Sequence, residues 1–135
     1  MNFSDYLEQK LLGHTLLQSI YTMPTTNYMA LITSITTTGS EIDYVEVTTA
    51  LGYERLPVDW SSVTSAPDTT VVNSTTLTWS PATTPWGGIV AGVIFDAQTI
   101  GTGNPLFWGE PSSVRTIETD DIFSVSAGQL TIKLD

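Results

Sequence analysis

The sequence predicts a mainly β protein: an antiparallel β-sandwich or jelly-roll-like domain preceded by one N-terminal α-helix. Three observations predict it. Thr and Ser supply about a quarter of the 135 residues while charged residues supply 13%, a bias toward neutral, β-branched side chains that suits solvent-facing strands. Short apolar runs recur with Gly, Pro, Asn and Asp between them, at intervals of roughly a dozen residues. Helical periodicity occurs once, near the start. Four Trp, five Tyr and four Phe supply the apolar surface that a disordered chain lacks.

The helix is placed over residues 4–19. Ser4 or Asp5 can cap it, Asp5 and Glu8 have capping-box spacing, and early acids suit the positive end of the helix dipole. Leu7, Leu11, Leu12, Leu16 and Ile20 form one apolar stripe, to be covered either by the chain's own sheet or by a neighbouring subunit that the helix clasps. Gly13 marks a close approach or a bend. The sandwich is placed over 27–135, the whole chain making one domain. NYMALITS (27–34) reads as a strand buried on both faces, TTTGSE as a turn and IDYVEVTT as the next strand. A short strand and a long loop follow in 52–67, and one or two strands broken at Asn73 and Ser74 in 69–80. Then come 85–99, PLFWGE (105–110), VRTIE (114–118), IFSVS (122–126) and the alternating QLTIKLD at the end.

Fourteen acids against four basic residues leave a net charge of −10. That balance opposes phosphate backbones and anionic lipid, so neither nucleic acid nor membrane is an expected partner. There is no cysteine, which removes disulfides and thiolate chemistry. The opening residues have neither the h-region of a secretion signal nor a spanning segment.

PWGGIVAGVIFDAQT (85–99) raises the question of a Gly-rich ligand loop. A dinucleotide loop joins a strand to a helix, whereas these glycines precede and interrupt a strand. They are read as a bulge or a close pass under Trp86, with Asp96 ending the strand near a turn. His14, the one histidine, has no marked nucleophile or further ligands beside it. The acids at Glu41, Asp43 and Glu46, and at Glu118, Asp120 and Asp121, lack the spacing of a Ca²⁺ loop. No catalytic residue, cofactor-binding residue or metal ligand is therefore assigned, and no cofactor is expected. Arg55 and Arg115 could each bridge a carboxylate within the fold or across a subunit boundary. The candidate interface residues are Leu7, Leu11, His14, Tyr53, Arg55, Trp60 and Arg115.

SDYLEQKLLGHTL, TMPTTNYMALITS, GYERLPV, PWGGIVAGVIFDAQT, PLFWGE and AGQLTIKLD together resemble, in the same order, a family of small tailed-bacteriophage virion proteins commonly labelled tail-fibre proteins. The resemblance implies a non-enzymatic structural component on the exterior of the particle. By analogy with small β-sandwich proteins of similar acidity, the first expectation is a capsid decoration or cement protein. Its partners would be the major capsid protein or tail proteins and further copies of itself, as a homo-oligomer. The alternative is a tail-fibre or baseplate-associated protein in host attachment, with Trp60 and Trp108 as glycan platforms.

Overall fold

The computed structural model describes residues 1–134. Its elements in chain order are β1 (Asn2–Phe3), α1 (Asp5–Leu16), β2 (Asn27–Thr38), β3 (Glu41–Glu46), β4 (Leu56–Val58), β5 (Thr69–Val72), β6 (Leu77–Thr78), β7 (Gly87–Ile89), β8 (Ala91–Phe95), β9 (Pro105–Gly109), β10 (Arg115–Ile117), β11 (Ser124–Val125) and β12 (Thr131–Leu134). A single 3₁₀ turn occupies Thr49–Leu51. The mainly β, antiparallel class with one N-terminal helix is the one the composition and periodicity predict.

The larger sheet has the order β1-β9-β8-β2-β3, and β4 pairs the N-terminal half of β2 on the edge that β3 occupies further along. Between β4 and β3 that edge has no strand at Leu31. The Tyr53 hydroxyl accepts the Leu31 N–H there (2.9 Å), and the Leu31 carbonyl accepts from Val47 N–H (3.1 Å). The gap is thereby closed without exposing buried backbone groups.

Opposite this sheet, segments 69–89 and 115–134 run antiparallel as one interrupted ribbon. The ladders are β5–β12, β6–β11 and β7–β10. Single bonds carry the pairing between them, Trp79 N to Phe123 O and Trp86 N to Ile117 O among them. The strand then changes layer at Val90: Ile89 pairs Arg115 in the ribbon, Ala91 pairs Ile32 in the sheet, and Val90 N–H reaches Ile32 O (2.8 Å). Such a switch is how sandwich corners are turned.

Alternation sorts the side chains. Met29, Leu31 and Ile94 face the ribbon, where Leu77, Trp79, Ile89, Ile117 and Leu130 meet them. Ala30, Ile32, Ala91, Val93 and Phe95 make a second cluster on the sheet's other face, with Tyr44 and Trp108 packed against it.

Helix α1 begins at Ser4, whose Oγ accepts the Leu7 N–H (3.2 Å) and donates to Pro105 O (2.5 Å). The residue three after the cap is therefore Leu7, and the expected Asp5–Glu8 box does not form; Glu8 instead accepts from Ser40 Oγ (2.8 Å). The helix stops at Leu16, short of residue 19, because Gln18 adopts φ 56 and turns the chain back, with Leu17 and Ser19 N–H both bonded to Gly13 O. Gly13 is not a close approach: a Cβ there would lie 3.5 Å from that of Ser19, an ordinary contact, and it is the Gly13 carbonyl that anchors the chain reversal.

Candidate interaction surfaces

The ionic centre of the fold is internal. Arg55 is 1% exposed. Its Nε and Nη2 donate to the two carboxylate oxygens of Glu46 (2.9 and 2.8 Å), and Nη1 donates to Ala97 O and Thr102 O. The guanidinium also lies 3.7 Å from the centre of the Phe95 ring. A buried guanidinium is tolerable only when its donors are filled in this way. Tyr53 joins the same network by donating to Glu46 Oε1 (2.9 Å). Burial, and then the Glu46 charge, push its phenol well above the usual range.

Of the candidate interface residues, Arg55, Tyr53 and Leu7 are all at 5% exposure or less within the chain, and the Arg55 bridge to Glu46 lies within the fold. Trp60 is half-buried and donates to Asn27 Oδ1 (3.1 Å). Leu11 is half-buried, while His14 is exposed and its Nδ1 accepts the Tyr21 N–H (3.2 Å).

The 85–99 glycines serve strand geometry, though not beneath Trp86. Trp86 stacks edge-on with Tyr53 and donates to Leu51 O. Gly87 takes φ 84, a Cβ at Gly88 would lie 3.0 Å from Val114 Cγ1, and one at Gly92 would overlap Met29 Cε. Asp96 does end β8, its carboxylate holding Asn104 N–H and Nδ2 across a nine-residue loop (96–104). Among the acids, Asp121 accepts from Glu118 N–H and Asp120 takes φ 67, so that group builds a turn.

Two clefts open at the layer boundaries. The first, about 660 Å³, lies between the sheet and the ribbon; Met29, Leu31, Phe123 and Leu130 line its apolar part, and exposed Arg115 and Glu110 its rim. The second, about 610 Å³, is bordered by Phe3, Trp108, Asn2, Glu8, Ser40 and Lys133.

A third surface is convex. The helical stripe splits in two: Leu7 is buried by the chain itself, whereas Leu12 (59%), Leu16 (70%), Leu17 (78%), Ile20 (88%) and Met23 (73%) face solvent. Leu12 and Leu16 share a helix flank one turn apart, and the reversal at Gln18 fixes where the following residues leave the helix. Sequence periodicity found the stripe but could not apportion it, because only the first turn is stitched to the sheet, by Ser4 N to Leu106 O and Asp5 N to Ser40 O.

A search of the curated proteins returned no match. A family model described as podophage GP4 fiber I protein gp80 matches residues 2–133. That span takes in the helix, the sheet and the ribbon alike, and the chain accordingly belongs to this family of structural proteins on the exterior of phage virions.

Proposed function

We propose that the protein is a non-enzymatic subunit of an exterior fibre assembly carried on the phage tail, rather than a cement of the capsid shell. The observation that carries this reading is the match of residues 2–133 to a fibre protein family. The chemistry of the fold supports it: Arg55, Glu46 and Asp96 are spent on internal hydrogen bonds, and His14 on a backbone amide. Membership of a fibre family implies association with other phage proteins; tail proteins are the partners this reading names. Antibody or tag labelling of intact particles by electron microscopy tests it, with density expected at the tail. Label distributed over the capsid lattice, or retention of the protein on tailless heads, would overturn it in favour of cement.

A second reading, saccharide binding, rests on Trp108. Its indole borders a cleft that also presents Asn2, Glu8, Ser40 and Lys133, an aromatic face with polar groups around it, as sugar sites require. Titration of host-surface polysaccharide with Trp fluorescence readout, in wild type and Trp108→Phe, is expected to give a saturable change that the variant loses. An unchanged signal in the wild type would remove this reading.

A further inference from the structure

The cleft between sheet and ribbon opens where the sheet runs out of side chains. Leu31, Gly92 and Gly109 form one row across β2, β8 and β9, on the face that carries Ile94 and Phe107 two residues further along. Two of the three positions in that row are bare. Thioether side chains take up the space instead: a Cβ at Gly92 would overlap Met29 Cε, and one at Gly109 would lie 3.3 Å from Met1 Cγ. Glycine within a strand marks a place where a ligand or another backbone comes close, and methionine is the apolar side chain that moves aside most readily. The floor is therefore apolar and yielding, and a volume of about 660 Å³ is ordinary for a binding site. The rim supplies a charge. Of the four basic residues, Arg55 is buried on Glu46, Lys133 pairs Asp68 and Lys10 lies over the Tyr6 ring. Among the described residues Arg115 alone has no partner for its guanidinium, in a chain with fourteen acids, and it stands exposed on the rim.

We propose that this cleft receives an extended segment of another virion protein, a bulky apolar side chain entering over Gly92 and Gly109 while a carboxylate one or two residues away closes on the Arg115 guanidinium. The proposal rests on membership of a virion-exterior family and goes beyond where on the particle the chain sits. Charge complementarity selects the acid. A guanidinium and a carboxylate meet through two parallel hydrogen bonds, and a net charge of −10 makes most of the remaining surface repel such a partner. Glu110 shares the rim without pairing to Arg115, so it turns an acid away from its own end and fixes the direction of the segment. The rest of the rim selects a peptide over a free acyl chain. Ser112, Ser113, Ser124, Ser126 and Gln129 are exposed along it, and their hydroxyl and amide groups offer hydrogen bonds to a peptide backbone, whereas an acyl tail needs apolar walls throughout. A strand lying there sends alternate side chains down to the floor and out into water.

Site-specific photo-crosslinking in intact particles tests the proposal. With benzoylphenylalanine in place of Gln129, irradiation is expected to join the chain to a different virion protein, at a peptide that mass spectrometry shows to hold a large apolar residue within two positions of an Asp or Glu. The same group in place of Val63, exposed but outside the cleft, should not give that product. Arg115→Glu in the Gln129-labelled chain is expected to reduce the product by about tenfold. Near-UV circular dichroism of the buried Trp79 and Trp86 reports the fold; should Arg115→Glu lose that signal, Arg115→Gln is read in the same way. A product no stronger than the Val63 control, a product only with a second copy of this chain, a captured peptide without an acid, or indifference to Arg115→Glu overturns the proposal. So does saturable binding of dodecanoate to the isolated chain by calorimetry with no cross-link in particles, which would make the cleft a site for a free amphiphile. The tail reading fails separately: a qualifying peptide from a capsid protein upholds the cleft and removes the tail, and label at the tail with no product does the reverse.

Discussion

At Gly92 the strand β8 has no room for a side chain on its inner face. A Cβ would overlap the end of Met29, a flexible group that also borders the cleft between sheet and ribbon. Gly92→Ala is therefore expected to be absorbed by a Met29 rotamer change. Gly92→Val adds branching that the rotamer cannot clear, and overpacking of this kind costs about 1–3 kcal/mol; urea unfolding of the two variants should separate them, and equal stability of Val and wild type would refute the account. Tyr53 gives a pH prediction. Burial first, and Glu46 second, raise its phenol above the ordinary 10.0, so above pH 10 the unfolded chain gives up a proton that the folded chain keeps. Stability from this group is complete below that pH and is lost as pH rises beyond it. Tyr21 and Tyr44 are shifted the same way, chiefly by burial. Thermal melts are expected to fall from pH 10 upward, less steeply for Tyr53→Phe. That variant should also lose about 1–3 kcal/mol at neutral pH, because the Leu31 N–H is left without its acceptor.

Elements with local signals were legible in the sequence, and those formed by distant pairing were not. Short apolar runs located β2, β3 and β9, and alternation located β12; β2 runs on to Thr38, through the first residues of the stretch read as a turn. The two-residue β1 carries no such pattern. It exists through pairing of Asn2 and Phe3 with Trp108 and Phe107, and no window of sequence holds both partners. Arg55 was legible as a bridging cation but not as an internal one, since its acceptors are Glu46 at the end of β3 and Ala97 and Thr102 on the distant 96–104 loop. The start of α1 was legible to within a residue, as Ser4 or Asp5, while its end was not: Ser4 is a strong cap by type, whereas the left-handed Gln18 is not a residue that announces a stop. Ser4→Ala is expected to cost about 1–2 kcal/mol by removing the cap. Detachment of the helix start from Pro105 O adds to that loss, which hydrogen exchange at Leu7 and Glu8 should register as local opening. Unchanged exchange there would mean that the cap contributes nothing.

Across the whole molecule the net charge of −10 works against compactness, because like charges repel at distances the buried Arg55–Glu46 pair cannot offset. Screening reaches about 30 Å at 0.01 M salt and about 10 Å at 0.1 M. Raising salt over that range is expected to lift the melting temperature by a few degrees at neutral pH, and a fall would show that ion pairs outweigh repulsion. The long ribbon has a consequence for the order in which the chain takes shape. Thr69 pairs Leu134, and the amino group of Met1 donates to Thr131 O, so these contacts cannot form until the last strand has left the ribosome. The YMALITS strand, made early and buried on both faces when finished, must wait uncovered through most of synthesis.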